Sequence, residues 1–302
     1  MKILLIGSSG LVGKNIMKFF PVNILIYAMY NKNKPSIKKR NIKFKKLNLI
    51  SSNEIKNFTS FDFDGIIDCG WLGVYGSLRN NQIQKKNEIY TNNLIELINK
   101  ILKKNKIKFL ISFGSQAEYG IKQIPTSETS KLRPQTLYGK EKVKKMKNLE
   151  KYCKLKNIRF VWFRMFSCYG DFELEDWLIP YGIKNMILKK SLKFTSGLQK
   201  WDYLHLKDIV SATLIACKNQ KLKGIFNLSS NKPVKVKTII MKIKKHTKNK
   251  KKIEFGKKDL RKDQVMLLNG INKKLRQFNW KPKISLDQGL KLTISIFKKK
   301  LI

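Results

Sequence analysis

The stretch Lys2-Ile3-Leu4-Leu5-Ile6-Gly7-Ser8-Ser9-Gly10-Leu11-Val12-Gly13 decides the fold of this chain. An apolar run of strand length ends at Gly7, and an amphipathic pattern with helical spacing begins at Leu11. Gly7 permits a tight turn, Gly10 lets the backbone approach a bound phosphate, and Gly13 allows close packing of helix on strand. The helix N-terminus offers free N–H groups and a positive dipole end to an anion. The stretch therefore predicts a phosphate-binding turn between a strand and a helix.

The alternation of strands and helices continues along the first half of the chain. Apolar runs between amphipathic helical patterns are typical of βαβ units and a parallel sheet. The runs predict strands at Lys2–Ile6, Asn23–Ala28, Lys43–Leu47, Asp64–Cys69, Phe109–Phe113 and Arg159–Phe163. The other patterns predict helices near Leu11–Phe20, Gln84–Lys104 and Tyr138–Lys156. We therefore expect a Rossmann-type, doubly wound α/β fold that binds a dinucleotide.

A less regular pattern after Phe163 predicts a smaller C-terminal α/β lobe. A helix at Asp208–Cys217 and a strand at Gly224–Leu228 resume the earlier alternation, and a last helix is expected at Leu286–Lys298. Such a lobe would close over a ligand at the carboxyl ends of the strands. The predicted boundaries are 1–163 for the dinucleotide-binding domain, with 201–228 returning to it, and 164–200 and 229–302 for the substrate-binding lobe.

The composition limits the class of protein. The chain has 302 residues, of which 42% are hydrophobic, enough to bury a sizeable core. Its four cysteines form no Cys-x-x-Cys pair and it has two histidines, so we expect neither a disulfide framework nor a metal site. No apolar run has the length of a membrane helix, and no targeting segment is visible. We therefore expect a cytoplasmic protein without a membrane partner.

The net charge of +45 admits two interpretations. A strongly basic chain can bind nucleic acid or an anionic membrane. Here the lysines are spread over the whole sequence, alongside abundant Asn and Ile, which favours a compositional bias over a dedicated binding patch. We do not expect a nucleic-acid partner, although such a surface would attract nucleotide phosphates.

Tyr138 and Lys142 form the candidate catalytic pair. They stand four residues apart at the start of a predicted helix, so their side chains share one face. A neighbouring ammonium stabilises a phenolate, which makes Tyr138 a candidate general acid/base for a carbonyl or an alcohol. Ser115 lies just beyond the fifth predicted strand, where its hydroxyl can hydrogen-bond the same substrate oxygen.

The end of the second predicted strand bears on which dinucleotide binds. NAD-specific proteins usually have an acidic residue there, which binds the ribose hydroxyls. This chain has no carboxylate before Glu54 and has Tyr30-Asn31-Lys32-Asn33-Lys34 at that position. Lys32 either suits the 2′-phosphate of NADP or is a solvated surface lysine. NADP is therefore the expected cofactor, with NAD as the alternative.

Together these motifs resemble the extended short-chain dehydrogenase/reductase family, in its NAD(P)-dependent nucleotide-sugar epimerase, dehydratase and reductase branch. The resemblance covers nearly the whole chain, because residues 164–170 are similar to the family's Arg-x-Phe-Asn-x-Tyr-Gly segment and residues 201–208 to its Arg-Asp-x-x-His-Val-x-Asp segment. Ser115, Tyr138 and Lys142 match its catalytic trio. The resemblance implies a nucleotide-diphosphate sugar as substrate and often a homodimer, formed through helices equivalent to those predicted at Gln84–Lys104 and Tyr138–Lys156.

The resemblance also extends the set of site residues. Arg261 matches a position where the family often places an arginine on the substrate diphosphate, and a surface arginine is the other interpretation. Ser115 is expected to contact the sugar. From the motifs and the resemblance together, the predicted cofactor-binding residues are Gly7, Ser9, Gly10, Leu11, Val12, Gly13, Lys32, Asn48, Leu49, Cys69, Gly70, Trp71, Asn87, Tyr138, Lys142 and Phe166.

The family reactions share hydride transfer at a sugar carbon, usually C4. Family 4,6-dehydratases carry Asp-Glu directly after the catalytic hydroxyl, and epimerases of GDP-keto sugars carry a Cys there. Gln116 and Ala117 occupy those positions here, which disfavours both. A 4-ketosugar reductase and a 4-epimerase remain, and the missing ribose-binding carboxylate favours the reductase because a 4-epimerase usually retains NAD. A non-catalytic cofactor-binding protein is the third hypothesis, against which the intact trio argues.

Overall fold

The computed structural model describes residues 1–58, 62–171, 177–260 and 264–301, in which strands and helices alternate. The strands are β1 (Lys2–Ile6), β2 (Leu25–Tyr30), β3 (Ile42–Lys46), β4 (Gly65–Asp68), β5 (Phe109–Ser115), β6 (Arg159–Met165), β7 (Ser167–Tyr169), β8 (Leu192–Lys193), β9 (Lys200–Trp201), β10 (Tyr203–His205), β11 (Gly224–Leu228), β12 (Val234–Lys235), β13 (Ile253–Glu254) and β14 (Leu267–Leu268). The helices are α1 (Leu11–Phe19), α2 (Ser52–Lys56), α3 (Lys86–Leu102), α4 (Leu137–Leu155), α5 (Leu178–Ile187), α6 (Leu206–Lys218), α7 (Val236–Thr247), α8 (Lys273–Arg276) and α9 (Leu286–Leu301). Short 3-10 helices lie at Gly76–Leu78, Gln82–Lys85 and Gln116–Glu118.

Seven strands form one parallel sheet, in the order β11-β6-β5-β4-β1-β2-β3. The strands β1 and β4 are almost fully buried on both faces, as central parallel strands are. The edge strand β3 alternates lysines with apolar residues and is only half-buried. The predicted Rossmann-type α/β fold is thereby confirmed.

The register of the sheet aligns the carboxyl ends of its central strands. Ile6 pairs with Met29 on one side and with Asp68 on the other, and Asp68 pairs with Ser112. The residues that follow these positions therefore emerge at one edge of the sheet. Strand β5 continues to Ser115, which is its last residue and not, as predicted, a residue beyond it.

The chain forms two compact units. The first consists of Met1–Gly120, Ser130–Arg164 and Val210–Phe226, and the second of Ile121–Thr129, Met165–Ile209 and Asn227–Ile302. In the first, the guanidinium of Arg159 donates to the carbonyls of Ala216 and Leu222 and so ties the returning segment to β6. In the second, α5, α7 and α9 share an apolar core. The assignment of a cofactor domain and a substrate lobe stays a prediction. In the described ranges no helix is long and apolar enough to cross a membrane.

Candidate functional site

The predicted phosphate-binding turn joins β1 to α1, and its glycines lie too close to other backbone for side chains. Gly7 has a φ of +75°, and a Cβ there would lie 2.6 Å from the backbone nitrogen of Gly70. A Cβ on Gly13 would lie 2.4 Å from the carbonyl oxygen of Gly7. Both positions therefore require glycine. The turn, the first helical turn and the segment after β4 are packed together at this edge of the sheet.

The N-terminus of α1 has the properties of an anion site. Gly10 is its N-cap in an extended conformation, and no side chain in the described part of the chain caps the helix. The N–H groups of the first turn are thus available to an outside acceptor. Leu11 begins this turn, and Val12 is buried beneath it. A cradle of glycine backbone and uncapped N–H groups fits the pyrophosphate of a dinucleotide.

Amides and lysines, without a carboxylate, occupy the end of β2. The side-chain amide of Asn31 donates to that of Asn48, with 3.2 Å between nitrogen and oxygen. The hydroxyl of Ser9 donates to the carbonyl of Asn33 at 2.6 Å, which connects the glycine turn to the segment containing the exposed Lys32. This edge of the sheet therefore presents neutral and cationic groups.

The segment after β3 holds this edge in place. The carboxylate of Glu54 accepts a hydrogen bond from the backbone N–H of Asn48 at 2.6 Å, so the first acidic residue of the chain serves the local backbone. Leu49 is buried in the core, and its carbonyl accepts a hydrogen bond from the Asn93 side chain at 2.8 Å. Its predicted part in cofactor binding stays a prediction.

Tyr138, Lys142 and Trp71 form one cluster. The Nζ of Lys142 lies 3.8 Å from the centre of the Trp71 ring system and 5.8 Å from that of Tyr138. It also donates a hydrogen bond to the carbonyl of Phe113 at 2.7 Å. The rings of Trp71 and Tyr138 meet edge to face, 5.6 Å between centres. The structure thus brings the Tyr138–Lys142 pair together with Trp71, which was predicted from a different segment of the chain.

Local chemistry explains why α4 begins at this place. The hydroxyl of Thr136 caps the helix by accepting from the N–H of Gly139 at 3.1 Å. A Cβ on Gly139 would lie 2.6 Å from the carbonyl oxygen of Ala117, so the first turn of α4 packs directly on the 3-10 helix that follows Ser115. This close approach places Tyr138 and Ser115 on adjacent elements.

The buried carboxylate of Glu118 holds the backbone of Ser115 in place. The N–H of Ser115 donates to Glu118 at 2.8 Å, and its hydroxyl oxygen accepts from the N–H of Ala117 at 3.2 Å. Glu118 also accepts from Arg164 at 2.6 Å and from the indole of Trp162 at 3.1 Å. Burial raises the pKa of Glu118, against the opposing effect of Arg164. The hydroxyl proton of Ser115 can still be donated to a substrate oxygen.

A buried ion pair that the motifs did not single out lies beside the cluster. The Nζ of Lys145 is 2.7 Å from Asp68 Oδ2, and both side chains are almost fully buried. The hydroxyls of Tyr90 and Ser112 each donate to Asp68 at 2.7 Å. Burial acts to raise the pKa of Asp68, but Lys145 and the two hydroxyls outweigh it and lower the pKa. The i, i+3 spacing of Lys142 and Lys145 was the one signal in the sequence.

The pKa of Lys142 depends on the second buried lysine of α4. Burial and the ammonium of Lys145 lower the pKa of Lys142 to about 7, while the carboxylates of Asp68 and Glu118 act to raise it. Burial, followed by the charge of Asp68, raises the pKa of the Cys69 thiol well above its ordinary value, so this thiol is neutral near pH 7. Lys142 therefore changes its charge in the range where general acid/base groups are effective.

Two amide side chains hold the segment that follows β4. Asn87 accepts from the N–H of Leu72 at 2.9 Å and donates to its carbonyl at 3.2 Å. Gln84 accepts from the indole N–H of Trp71 at 2.9 Å and donates to the carbonyl of Gly73 at 2.7 Å. Asn87, predicted to bind cofactor, thus has the backbone next to Trp71 as its observed partner.

Two further predicted site residues are Phe166 and Arg261. Phe166 belongs to the second unit, where a Cβ on Gly270 would lie 2.6 Å from its ring. Arg261, the candidate for the substrate diphosphate, lies outside the described residues. In the part of the chain that the structure describes, no group of His, Cys, Asp and Glu residues could hold a metal ion. The functional roles of all the site residues stay predictions.

Comparison with known proteins places this geometry in a family. Residues 3–229 match the model of the NAD dependent epimerase/dehydratase family. The chain belongs to that family. It is therefore an enzyme of the extended short-chain dehydrogenase/reductase type, as the motifs predicted, and its cofactor is a nicotinamide dinucleotide.

Two relatives and one solved structure illustrate the range of the family. The UDP-glucuronate 4-epimerase of Thermodesulfobacterium geofontis is 27% identical over 273 residues, which cover 87% of this chain and 82% of that enzyme. The dTDP-4-dehydro-6-deoxyglucose reductase of Escherichia coli is 26% identical over 190 residues, 61% of this chain and 59% of that one. The Thermotoga maritima UDP-glucose 4-epimerase, solved with UDP-glucose, has a TM-score of 0.86 at 22% identity over 100% of both chains, and so has the same fold.

Proposed function

We propose that this enzyme is an NADPH-dependent reductase of a nucleotide-diphosphate 4-keto sugar. The end of β2 carries the proposal: Asn31 hydrogen-bonds Asn48 there at 3.2 Å, and Lys32 is exposed. A carboxylate at this position binds the 2′-hydroxyl of NAD, whereas a cation suits the 2′-phosphate of NADP. NADPH is the reductant that a net reduction consumes. The similarity to the Escherichia coli reductase supports this direction.

The glycine turn is the binding site for the cofactor pyrophosphate. Gly7 and Gly13 keep the turn against the backbone, and the uncapped N–H groups after Gly10 donate to phosphate oxygens. Ser9 holds the segment of Lys32 next to this turn. When bound, the dinucleotide supplies the hydride that is added to the C4 carbon of the sugar.

Tyr138 donates the proton that the reaction requires at the C4 oxygen. Reduction of a ketone adds one hydride to carbon and one proton to oxygen, and the phenol provides the proton. The ammonium of Lys142, 5.8 Å from the centre of the Tyr138 ring, stabilises the phenolate that remains. The hydroxyl of Ser115 donates to the same sugar oxygen and orients it. A proton from water then restores the phenol.

The residues after Ser115 argue against a dehydratase. Elimination of water needs an acid and a base at the sugar, and Gln116 and Ala117 provide neither. The next residue, Glu118, is engaged by Arg164, Trp162 and the N–H of Ser115. Its carboxylate is a structural anchor for Ser115.

A 4-epimerase that retains NAD is the second candidate. The observation in its favour is the longer match to the UDP-glucuronate 4-epimerase, which covers 87% of this chain. Such an enzyme uses the same Tyr138 and Lys142 to oxidise and then reduce one carbon. The two candidates differ in whether cofactor is consumed.

Cofactor content and turnover distinguish the candidates. We expect that denaturation of the purified protein releases no stoichiometric NAD, that NADPH binds more tightly than NADH, and that NADPH absorbance falls only when a nucleotide 4-keto sugar is added. Stoichiometric NAD in the released fraction, with interconversion of 4-hydroxy sugars and no net change in absorbance, would replace the reductase by the epimerase. Binding of NADPH without turnover of any nucleotide 4-keto sugar or 4-hydroxy sugar tested would favour the non-catalytic hypothesis.

A further inference from the structure

Two buried ammonium groups lie one helical turn apart on α4. The residues Lys142 and Lys145 are 5% and 2% exposed, and their Nζ atoms lie 3.8 Å and 5.6 Å from the centre of the Trp71 ring system. Two like charges in an interior disfavour each other unless a carboxylate offsets one of them. Asp68 does so for Lys145, at 2.7 Å, while Lys142 donates to the carbonyl of Phe113.

Asp68 is a fixed anchor for Lys145. It accepts from the hydroxyls of Tyr90 and Ser112 at 2.7 Å and from the N–H of Gly70 at 3.1 Å. Burial and the charge of Asp68 raise the pKa of Tyr90 well above its ordinary value, so this phenol stays a hydrogen-bond donor. These bonds come from α3, β5 and the segment after β4, so the position of the carboxylate is determined independently of Lys145.

The charge of Lys142 depends on groups from several elements. The titratable groups that face it are Lys145 and Tyr138 on α4, Asp68 and Cys69 at the end of β4, and Glu118 in the 3-10 helix after β5. Glu118 is already paired with Arg164. The cation and the carboxylate of the Asp68–Lys145 pair act on Lys142 with opposite sign.

We propose that Asp68 and Lys145 act as a positioning pair for Lys142. The opposed charges of this pair set the pH range in which the Lys142 ammonium is held against Trp71 and Tyr138. The proposal rests on the proposed role of Lys142 but not on the identity of the sugar. Loss of the Lys145 charge favours the ammonium of Lys142, and loss of the Asp68 charge disfavours it. A purely structural pair predicts no such opposition.

A lysine side-chain titration tests the pair directly. Lysine Cε atoms are labelled with ¹³C in the full chain, and their resonances are followed by NMR from about pH 5 to pH 10. Exposed lysines ionise near pH 10.4, about their ordinary pKa. We expect one resonance with a midpoint close to neutral pH, and its loss in Lys142→Arg assigns it to Lys142.

The variants are chosen so that charge and structure separate. We expect the midpoint to rise in Lys145→Gln and to fall in Asp68→Asn, each by roughly one pH unit, and to return near the wild-type value in the double variant. Lys145→Arg keeps the charge and is expected to keep the midpoint. Lys144→Gln is the matched control, since it removes the exposed neighbour that pairs with Glu88 at 2.7 Å and leaves the midpoint unchanged.

Shifts in the same direction in both single variants, or no shift in a folded variant, overturn the proposal. Breaking a buried pair is strongly destabilising; if Lys145→Gln does not fold, Asp68→Asn decides alone, because a rise or no change there contradicts the proposal. The pH profile of kcat on any sugar that is turned over is expected to follow the NMR midpoint. The titration needs no substrate, so its result and that of the reductase assay are independent.

Discussion

At the scale of single residues, the environment of Lys142 brings the pKa of its side chain close to neutral pH. An exposed lysine ionises near pH 10.4, about three units above the pKa of about 7 of Lys142. The cause is burial together with the nearby ammonium of Lys145. Tyr138 shares a helix face with this group and meets Trp71 edge to face. The chemistry of the site is therefore tested first at Tyr138.

The substitution Tyr138→Phe removes one hydroxyl and retains the ring that contacts Trp71. We expect turnover to fall by roughly 10²–10⁴-fold, the usual contribution of a positioned acid/base group, with a much smaller change in NADPH affinity because the ring is retained. Steady-state turnover and cofactor fluorescence titration measure the two effects. Tyr152→Phe is the matched control on the same helix, since its hydroxyl contacts Asn99 at 2.7 Å. Near-wild-type turnover in Tyr138→Phe would sink the assigned mechanism.

Gly10 offers a sharper test of the cofactor site than the other glycines of the turn. A Cβ there would lie 3.3 Å from the carbonyl oxygen of Gly7, the one described atom within 4 Å, so a substitution disturbs the backbone less here than at Gly7 or Gly13. Gly10→Val is expected to abolish NADPH binding, because its branches occupy the space of the pyrophosphate. Gly10→Ala is the milder comparison. Undiminished affinity in folded Gly10→Val would refute the assignment of the turn.

At the scale of elements, the segment after β2 is attached on two sides. Ser9 joins it to the glycine turn and Asn48 joins it to the segment after β3. Both lysines that it carries are exposed, and the Nζ of Lys34 also lies 5.4 Å from the centre of the Phe44 ring. The attachments give Lys32 a defined place from which to reach a 2′-phosphate.

The double variant Lys32→Ala/Lys34→Ala is expected to weaken NADPH binding by about tenfold or more, as loss of a charge-assisted hydrogen bond does. Binding of NADH should change little, since it lacks the 2′-phosphate. Parallel titrations with the two cofactors provide the measurement. Lys103→Ala/Lys104→Ala removes the same charge from the exposed end of α3 and serves as the control. Equal losses of affinity for NADPH and NADH would mean that these lysines attract anions in general and do not select the 2′-phosphate.

At the scale of the whole molecule, a buried histidine links stability to pH. His205 is 5% exposed, and its ring meets Tyr169 edge to face at 5.2 Å between centres. Its Nδ1 accepts a hydrogen bond from the N–H of Lys207 at 3.2 Å. Burial lowers the pKa of His205 from 6.5 to about 4, assisted by the charge of Lys207 and opposed by Asp171. The folded state therefore holds the neutral imidazole.

This depressed pKa predicts a pH window for stability. In the unfolded chain His205 binds a proton near pH 6.5, and in the folded chain only near pH 4. Its contribution to the free energy of unfolding is therefore complete above pH 6.5 and is lost as the pH falls toward 4. Linkage gives a loss of about 3 kcal/mol across this window. Urea unfolding at several pH values should show that the difference in free energy of unfolding between wild type and His205→Gln decreases on acidification. A constant difference would mean that His205 does not titrate there.

Local pattern was sufficient for the seven strands of the parallel sheet, for α1, α3, α4, α6 and α9, for the glycine turn and for the Tyr138–Lys142 pair, because glycine spacing and helical period are properties of neighbouring residues. It did not predict α2, α5, α7 or α8, or the short strands outside that sheet. The exact ends of the strands depend on their pairing with neighbouring strands. For example, β2 begins at Leu25, two residues later than predicted, where the N–H of Leu25 donates to the carbonyl of Met1. The buried pairs were beyond local pattern altogether. Lys145 contacts Gly70 across 75 residues and Arg164 contacts Glu118 across 46. In so lysine-rich a chain, the i, i+3 spacing of Lys142 and Lys145 does not by itself distinguish a buried lysine from an exposed one. Burial and charge pairing arise between distant segments. The lowered pKa of Lys142 is therefore a property that only the packing of those segments decides.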